Sequence, residues 1–271
     1  MFRAKDREKC QRLFEREYRG RKFFDGLYRE QIARHLRPGQ RLLDAGCGRY
    51  MKYCKDLSSV ARVFGVDCDQ ILETNGGGGP FGIRGDIHHL PFPANSFDIV
   101  LSRSVVEHLE NPAQAFQEWA RVLRPGGKVI ILTPNKYDYV SVIASITPYW
   151  LHRALVSRIF QVSDDDVFPT RYRANTRRAL RKALQAAGMC EVDLQMLNHY
   201  PAYLMFSPVL FRIGVVYERL TRLRMFQGLS GAILCVFQKT LPLSPAGCQA
   251  KRRAEGDAPG PAGVALSKGA I

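Results

Sequence analysis

Three acids at the ends of apolar runs, a pair of glycines and one histidine are the residues of this chain whose types and spacing could do chemistry. Leu42-Leu43-Asp44-Ala45-Gly46-Cys47-Gly48 runs from an apolar stretch into an acid and then into glycines two apart. It reads as a buried parallel strand ending in a tight turn, where glycine permits positive φ and lets a ligand approach the backbone. A nucleotide-type ligand fits such a turn at the carboxyl ends of the strands of a doubly wound sheet. Asp67 ends a second apolar run and lies 19 residues after Gly48, the spacing at which a second strand presents a carboxylate to ribose hydroxyls. Asp86 and Ile87 close a third run, and His108 follows Glu107 beyond a fourth. Histidine titrates near neutral pH, so His108 is the natural candidate for a general base.

The elements that must position these residues alternate along the chain. Apolar runs at Arg41–Ala45, 60–67, 81–85, 96–102 and 128–133 read as strands, and the segments between them as helices. Pro112 opens the clearest of these helices, with Phe116, Trp119 and Leu123 on one face. Arg124-Pro125-Gly126-Gly127 reads as a sharp turn. Five strands in about 95 residues imply a parallel α/β sheet with right-handed crossovers. A basic helix over Thr176–Ala187, with Asn175 as its cap and Gly188 as its stop, leads to a sixth strand at Met189–Leu197 and a seventh near 231–238. Residues 1–36 read as two N-terminal helices and 37–241 as the main domain. Two insertions, about 136–175 and 198–230, interrupt that domain. The Pro-, Gly-, Ala- and Ser-rich residues 242–271 read as a disordered tail.

With 271 residues the chain can bury a substantial core. Its 40 Lys+Arg against 25 Asp+Glu, a net charge of +15, suggest an anionic partner: nucleic acid, acidic lipid headgroups or a phosphorylated substrate. The seven cysteines include no C-x-x-C pair and suggest neither a disulfide framework nor a zinc knuckle. Cys47, Cys68 and Cys235 read as small core fillers. The charged start is unlike a signal peptide, and no apolar run reaches membrane-spanning length, so a cytoplasmic location is expected.

Taken in order, the motifs resemble those of class I S-adenosylmethionine-dependent methyltransferases of the small-molecule type, similar to ubiquinone- and menaquinone-biosynthesis enzymes. The resemblance rests on Leu42–Gly48, Gly65-Val66-Asp67, Gly85-Asp86-Ile87, Leu90-Pro91-Phe92, Val105–Pro112 and Arg121–Gly127, and covers about residues 30–240. It implies a Rossmann-like α/β sheet of seven strands with the last antiparallel and helices on both faces, and S-adenosyl-L-methionine as cofactor. On that reading the turn at Asp44, Ala45, Gly46, Cys47 and Gly48 meets the methionine–ribose junction, and Asp44 orders the cofactor ammonium. Asp67, followed by Cys68, takes the ribose hydroxyls, with Asp69 as its rival. Asp86 and the Ile87 backbone N–H take the adenine, unless Asp86 only forms a turn. Ser102 and Arg103 line the methionine end. His108 is the base, or only packs beside the cofactor. Some relatives add a metal through an acid three residues before the Glu; that position is Ser104 here, so no metal is carried over. The family's usual third glycine is Tyr50 in this sequence.

The expected activity is methylation of an oxygen or nitrogen on a small molecule, a lipid-linked intermediate or a saccharide. The alternatives are an RNA methyltransferase drawn by charge and a catalytically silent cofactor-binding partner. No added RNA-binding module and no Asn-Pro-Pro-Tyr-type motif is present, which argues against nucleic acid. Asn135, Lys136, Tyr137 and Tyr139 should face the pocket mouth, and 168–173 brings aromatic and cationic groups together. The apolar 198–230 insertion, with Arg212, Arg219, Arg222 and Arg224 interleaved or following, suits a pocket lid, a dimer surface or peripheral contact with an anionic membrane.

Overall fold

The computed structural model describes residues 4–69, 79–146 and 169–240. Seven strands form a single sheet in the order β3-β2-β1-β4-β5-β7-β6. They are β1 (Arg41–Ala45), β2 (Arg62–Asp67), β3 (Phe81–Arg84), β4 (Phe97–Arg103), β5 (Leu123–Pro134), β6 (Met189–Leu197) and β7 (Ala232–Lys239). The first five pair in parallel, while β7 runs antiparallel to both β5 and β6. Sequential strands run outward from β1 to β3 and then restart beside β1 with β4. The order therefore reverses between β1 and β4, and a crevice opens at their carboxyl ends.

Strands that are apolar on both faces need helices on both faces. One layer contains α4 (Pro112–Val122) and α6 (Arg177–Ala186), whose Phe116, Trp119, Leu180 and Leu184 join Leu43, Val100 and Ile131 of the sheet. The other contains α2 (Phe24–His35) and α3 (Lys52–Leu57), with Tyr28, Ile32, Met51 and Cys54 against Leu42, Leu101 and Ile130. A smaller third cluster joins α1 (Ala4–Tyr18) to α7 (Pro208–Thr221) through Cys10, Leu13, Tyr18, Phe211 and Val215. A short α5 (Tyr139–Ile146) follows β5.

Several expectations change in detail. The Arg124–Gly127 turn is incorporated in β5, which starts at Leu123; the pairing with β4 is irregular there, jumping from Phe97↔Leu123 to Ile99↔Lys128. Thr176, rather than Asn175, caps α6, its side chain accepting from the Ala179 N–H at 3.2 Å. Asn175 is instead buried and tied to β5. Cys68 is exposed at the end of β2 and fills no core, whereas Cys235 is buried. Cys190 is disulfide-bonded, which the odd cysteine count and spacing give no reason to expect. The tail 242–271, residues 75–78 of the glycine tract and residues 147–168 of the first insertion lie outside the described residues. Among the described residues no helix is long and apolar enough to cross a membrane.

Candidate active site

The turn after β1 is built around two left-handed glycines. Gly46 has φ +87°, and a Cβ there would stand 2.2 Å from Val105 Cγ2, so both the backbone angle and the packing demand glycine. Gly46 and Cys47 donate their N–H groups to the Val66 carbonyl at 2.8 and 3.3 Å, which pins the turn to β2. Gly48, at φ +67°, donates its N–H to Asp67 Oδ2 at 2.8 Å. A Cβ on Gly48 would meet no protein atom within 4 Å, so the turn faces open space. Tyr50, at the place of the family's third glycine, swings outward and is exposed, while Met51 turns inward and is fully buried. Room for Met51 comes from β2: a Cβ on Gly65 would lie 2.7 Å from both Met51 Cε and Cys47 Sγ. Close helix–strand packing is thus kept by a glycine on the neighbouring strand.

Both Asp67 oxygens are oriented by backbone, Oδ2 by Gly48 and Oδ1 by the Asp69 N–H at 3.0 Å. The Cys68 thiol also donates to Oδ1 at 3.7 Å, so Oδ2 keeps a lone pair for a further donor and Oδ1 gains one when that weak thiol contact gives way. Asp69, the rival, pairs with Arg49 at 3.2 Å.

Asp44 lies beneath the turn, buried, with Ala45 buried behind it. Burial pushes its carboxyl up to about 7; the Asp67 charge adds to this, while the Cys54 thiol, donating at 3.4 Å, and Arg103 pull the other way. A folded-state value above the usual carboxylate range stabilises the cofactor-free protein at low pH, and that stabilisation is lost as pH rises through about 7. A cofactor ammonium beside Asp44 favours the carboxylate. Cofactor affinity is therefore expected to strengthen as pH rises toward about 7 and then level off, while the thermal midpoint of the free protein falls over the same range. Asp44→Asn should flatten both profiles; calorimetry and melting curves across that window check this, and an Asn variant with the wild-type slopes would remove Asp44 from the ammonium site.

At the end of β4, the Ser102 hydroxyl is buried and has no hydrogen-bond partner among the described residues. Arg103 reaches Asp25 at 3.0 Å and stacks over the Tyr53 ring at 5.1 Å. The Tyr53 hydroxyl also donates to Asp25, and Arg29 approaches the same carboxylate at 3.6 Å. The start of α2 thus forms one wall of the crevice. Sequence reasoning missed Asp25 and Tyr53; the only signal was the i,i+4 pair Asp25/Arg29, which also suits an ordinary exposed helix face.

Asp86 is committed to its own turn. It accepts from the His88 N–H at 2.9 Å and from the His88 and His89 Nδ1 atoms at 2.7 and 3.2 Å. Burial raises its carboxyl, but these donors outweigh it and hold it near 2. Ile87 is half-buried beside it.

Glu107 and His108 occupy a 3-10 turn, Val106–His108, just past β4. Burial pushes the Glu107 carboxyl up, opposed by the His108 charge and by the Thr133 hydroxyl, which donates at 3.0 Å. Asn175 Nδ2 donates in turn to Thr133 Oγ1 at 2.6 Å, so a buried chain links the turn to β5 and to the start of α6. The Arg171 and Tyr172 N–H groups donate to the Glu107 carbonyl at 2.6 and 3.1 Å. His108 Nδ1 lies 3.0 Å from the Pro169 carbonyl, which can only accept, so this network assigns the proton to Nδ1. Nε2 then carries the lone pair, with Glu107 Oε1 3.9 Å away.

Comparison with known proteins bears on this arrangement directly. The methyltransferase-domain family matches residues 43–131, the stretch that holds the glycine turn, Asp67, Asp86 and Glu107-His108. Residues 43–131 carry a methyltransferase domain. A probable S-adenosylmethionine-dependent methyltransferase of Mycolicibacterium smegmatis is 39% identical over 110 residues, covering 39% of this chain and 42% of that protein. The ubiquinone biosynthesis O-methyltransferase of Maricaulis maris is 30% identical over 142 residues, covering 46% of this chain and 56% of that one. The aligned stretches thus span about half the length of these curated relatives or less. The crystal structure of an S-adenosylmethionine-dependent methyltransferase from Mesorhizobium loti superposes with a TM-score of 0.53 at 16% identity, over 79% of this chain and 96% of that one, which shows the shared fold.

The methyltransferase domain's own residues fit its cofactor. Open space in front of Gly48, the orphaned Ser102 hydroxyl and the backbone-oriented Asp67 carboxylate supply room, a donor and an acceptor along one crevice. Beyond the carboxyl end of β5 lies a separate cavity of about 490 Å³. Tyr139, Tyr172, Tyr200, Tyr203 and Tyr217 line it, together with Phe24, the residue before Asp25. Burial pushes Asp138, at its floor, up to about 6 against backbone donors from Val140, Tyr139 and Ser141. Of the residues expected at the mouth, Tyr139 lines this cavity; Asn135 is buried and donates to the Gly228 and Ser230 carbonyls, and Tyr137 is exposed.

Proposed function

We propose that this chain transfers a methyl group from S-adenosylmethionine to an oxygen or nitrogen of a small molecule, lipid-linked intermediate or saccharide bound in the tyrosine-lined cavity. The observation that carries the reading is the cavity's lining, which includes Tyr172, whose N–H donates to the Glu107 carbonyl, and Phe24, the residue before the Asp25 that pairs with Arg103. When bound, the cofactor supplies an activated methyl group and its own leaving group. The protein's part is alignment and proton removal. Tyrosine faces and hydroxyls hold and orient the acceptor. His108 Nε2 takes the proton from the acceptor atom, and Glu107 stabilises the imidazolium that results.

Incubation with methyl-labelled cofactor and fractionated cell extract tests this. Label is expected in the small-molecule, lipid or saccharide fraction. Label confined to RNA would replace this reading with the nucleic-acid one. Tight cofactor binding with no labelled product in any fraction would make the chain a silent cofactor-binding protein.

A further inference from the structure

We propose that the outer face of α7 and the basic groove between α7 and α1 dock this protein on the surface of an anionic lipid bilayer. The inner face of α7 is accounted for. Phe211 and Val215 pack on α1, while Gly214 fits against Pro201, where a Cβ would stand 2.4 Å from the proline ring. Roughly opposite, at about 100° per residue, run Val209, Ile213, Val216, Leu220 and Leu223. Val209 is 68% exposed, Ile213 57% and Val216 55%. Met225, in the turn that follows, is 81% exposed. The spacing of 4, 3, 4 and 3 residues makes one continuous apolar stripe where a helix on a water-surrounded domain is ordinarily polar.

Cations border this stripe on the α1 side. A groove of about 300 Å³ between the two helices is lined by Lys9, Arg12, Arg16 and Arg212, with Leu13 and Pro208 between them. Glu8 pairs with Arg12 at 2.6 Å, and Glu17 with Arg16 at 2.9 Å and with Arg219. Lys9 and Arg212 have no ion-pair partner among the described residues. Four cations against two acids leave the groove positive, in a chain that is itself strongly basic.

An apolar stripe with arginines along its edge matches the layering of a bilayer surface, acyl chains inside and phosphate headgroups outside. A second copy of the chain would cover the stripe but bring further cations to the groove. An RNA would take the cations and leave the stripe in water. The anionic bilayer is the partner that satisfies both.

Sedimentation of the full chain with vesicles of phosphatidylcholine, with and without phosphatidylglycerol, tests the proposal. The protein should pellet with the phosphatidylglycerol vesicles and be released by salt. Ile213→Ser with Val216→Ser, and separately Arg12→Glu with Arg212→Glu, should each weaken pelleting about tenfold or more while leaving the melting curve unchanged. Wild-type protein that stays in the supernatant at low salt, or pellets equally with phosphatidylcholine alone, overturns it. A dimer on sizing that the Ile213/Val216 pair of substitutions dissociates, without vesicle binding, assigns the stripe to self-association and overturns it as well.

Discussion

Replacing Asp67 by alanine is expected to weaken S-adenosylmethionine binding at least about a hundredfold. The carboxylate is held by the Gly48 and Asp69 N–H groups, with a lone pair left on Oδ2 and only the weak Cys68 thiol contact to displace from Oδ1, an arrangement that can serve two vicinal hydroxyls. Hydrogen bonds to a charged acceptor contribute about 1.5–3 kcal/mol each, and two are lost together. The substitution also leaves the Gly48 N–H, one of three links between the turn and β2, without its acceptor. Asp69→Ala is the control: Asp69 turns to Arg49, so its removal should leave affinity almost unaltered. Calorimetric titration of both variants decides the matter. An Asp67→Ala protein with wild-type affinity would move the ribose to another carboxylate.

His108→Ala should lower the methylation rate about a hundredfold or more, with little change in cofactor affinity. The geometry behind this is the Nδ1 contact to the Pro169 carbonyl, which leaves Nε2 as the basic nitrogen, with buried Glu107 nearby. Two readouts separate proton removal from packing. Added imidazole should restore part of the rate to His108→Ala, and His108→Gln, which keeps bulk and a donor, should remain slow. A Gln variant with a normal rate, or an Ala variant that imidazole does not help, would return His108 to a role in holding the 169–172 segment.

β1 and β2 could be read from sequence because each is a short apolar run ending in an acid or running into glycine. The glycine turn could be read because positive φ at Gly46 and Gly48 leaves few alternatives. Asp67, Asp44, Ser102 and Arg103 follow from that turn by strand order alone, since parallel strands all deliver their last residues to one edge. Caps were less legible: Asn175 and Thr176 both suit an N-cap, and the buried Thr133 hydroxyl chose Asn175 for itself. The alternatives for Asp86 were also open in sequence. In the structure His88 and His89 take its oxygens, a local arrangement that spacing does not distinguish from a ligand contact.

What the sequence determined by itself is therefore the methyltransferase sheet and the row of residues along its carboxyl edge, because hydrophobic period, turn chemistry and strand order are local properties. Only tertiary structure decided the rest. Asp25 and Tyr53 come to Arg103 from α2 and α3, Gly65 replaces the missing third glycine from the adjoining strand, and residues from 24 to 231 converge on the tyrosine-lined cavity. The same holds for α7, which is apolar nearly all round in sequence. Packing on α1 buried Phe211 and Val215, and what remained outside was the stripe of Val209, Ile213 and Val216. Which side of such a helix is core depends on contacts made more than 190 residues away in the chain, and no local pattern encodes them.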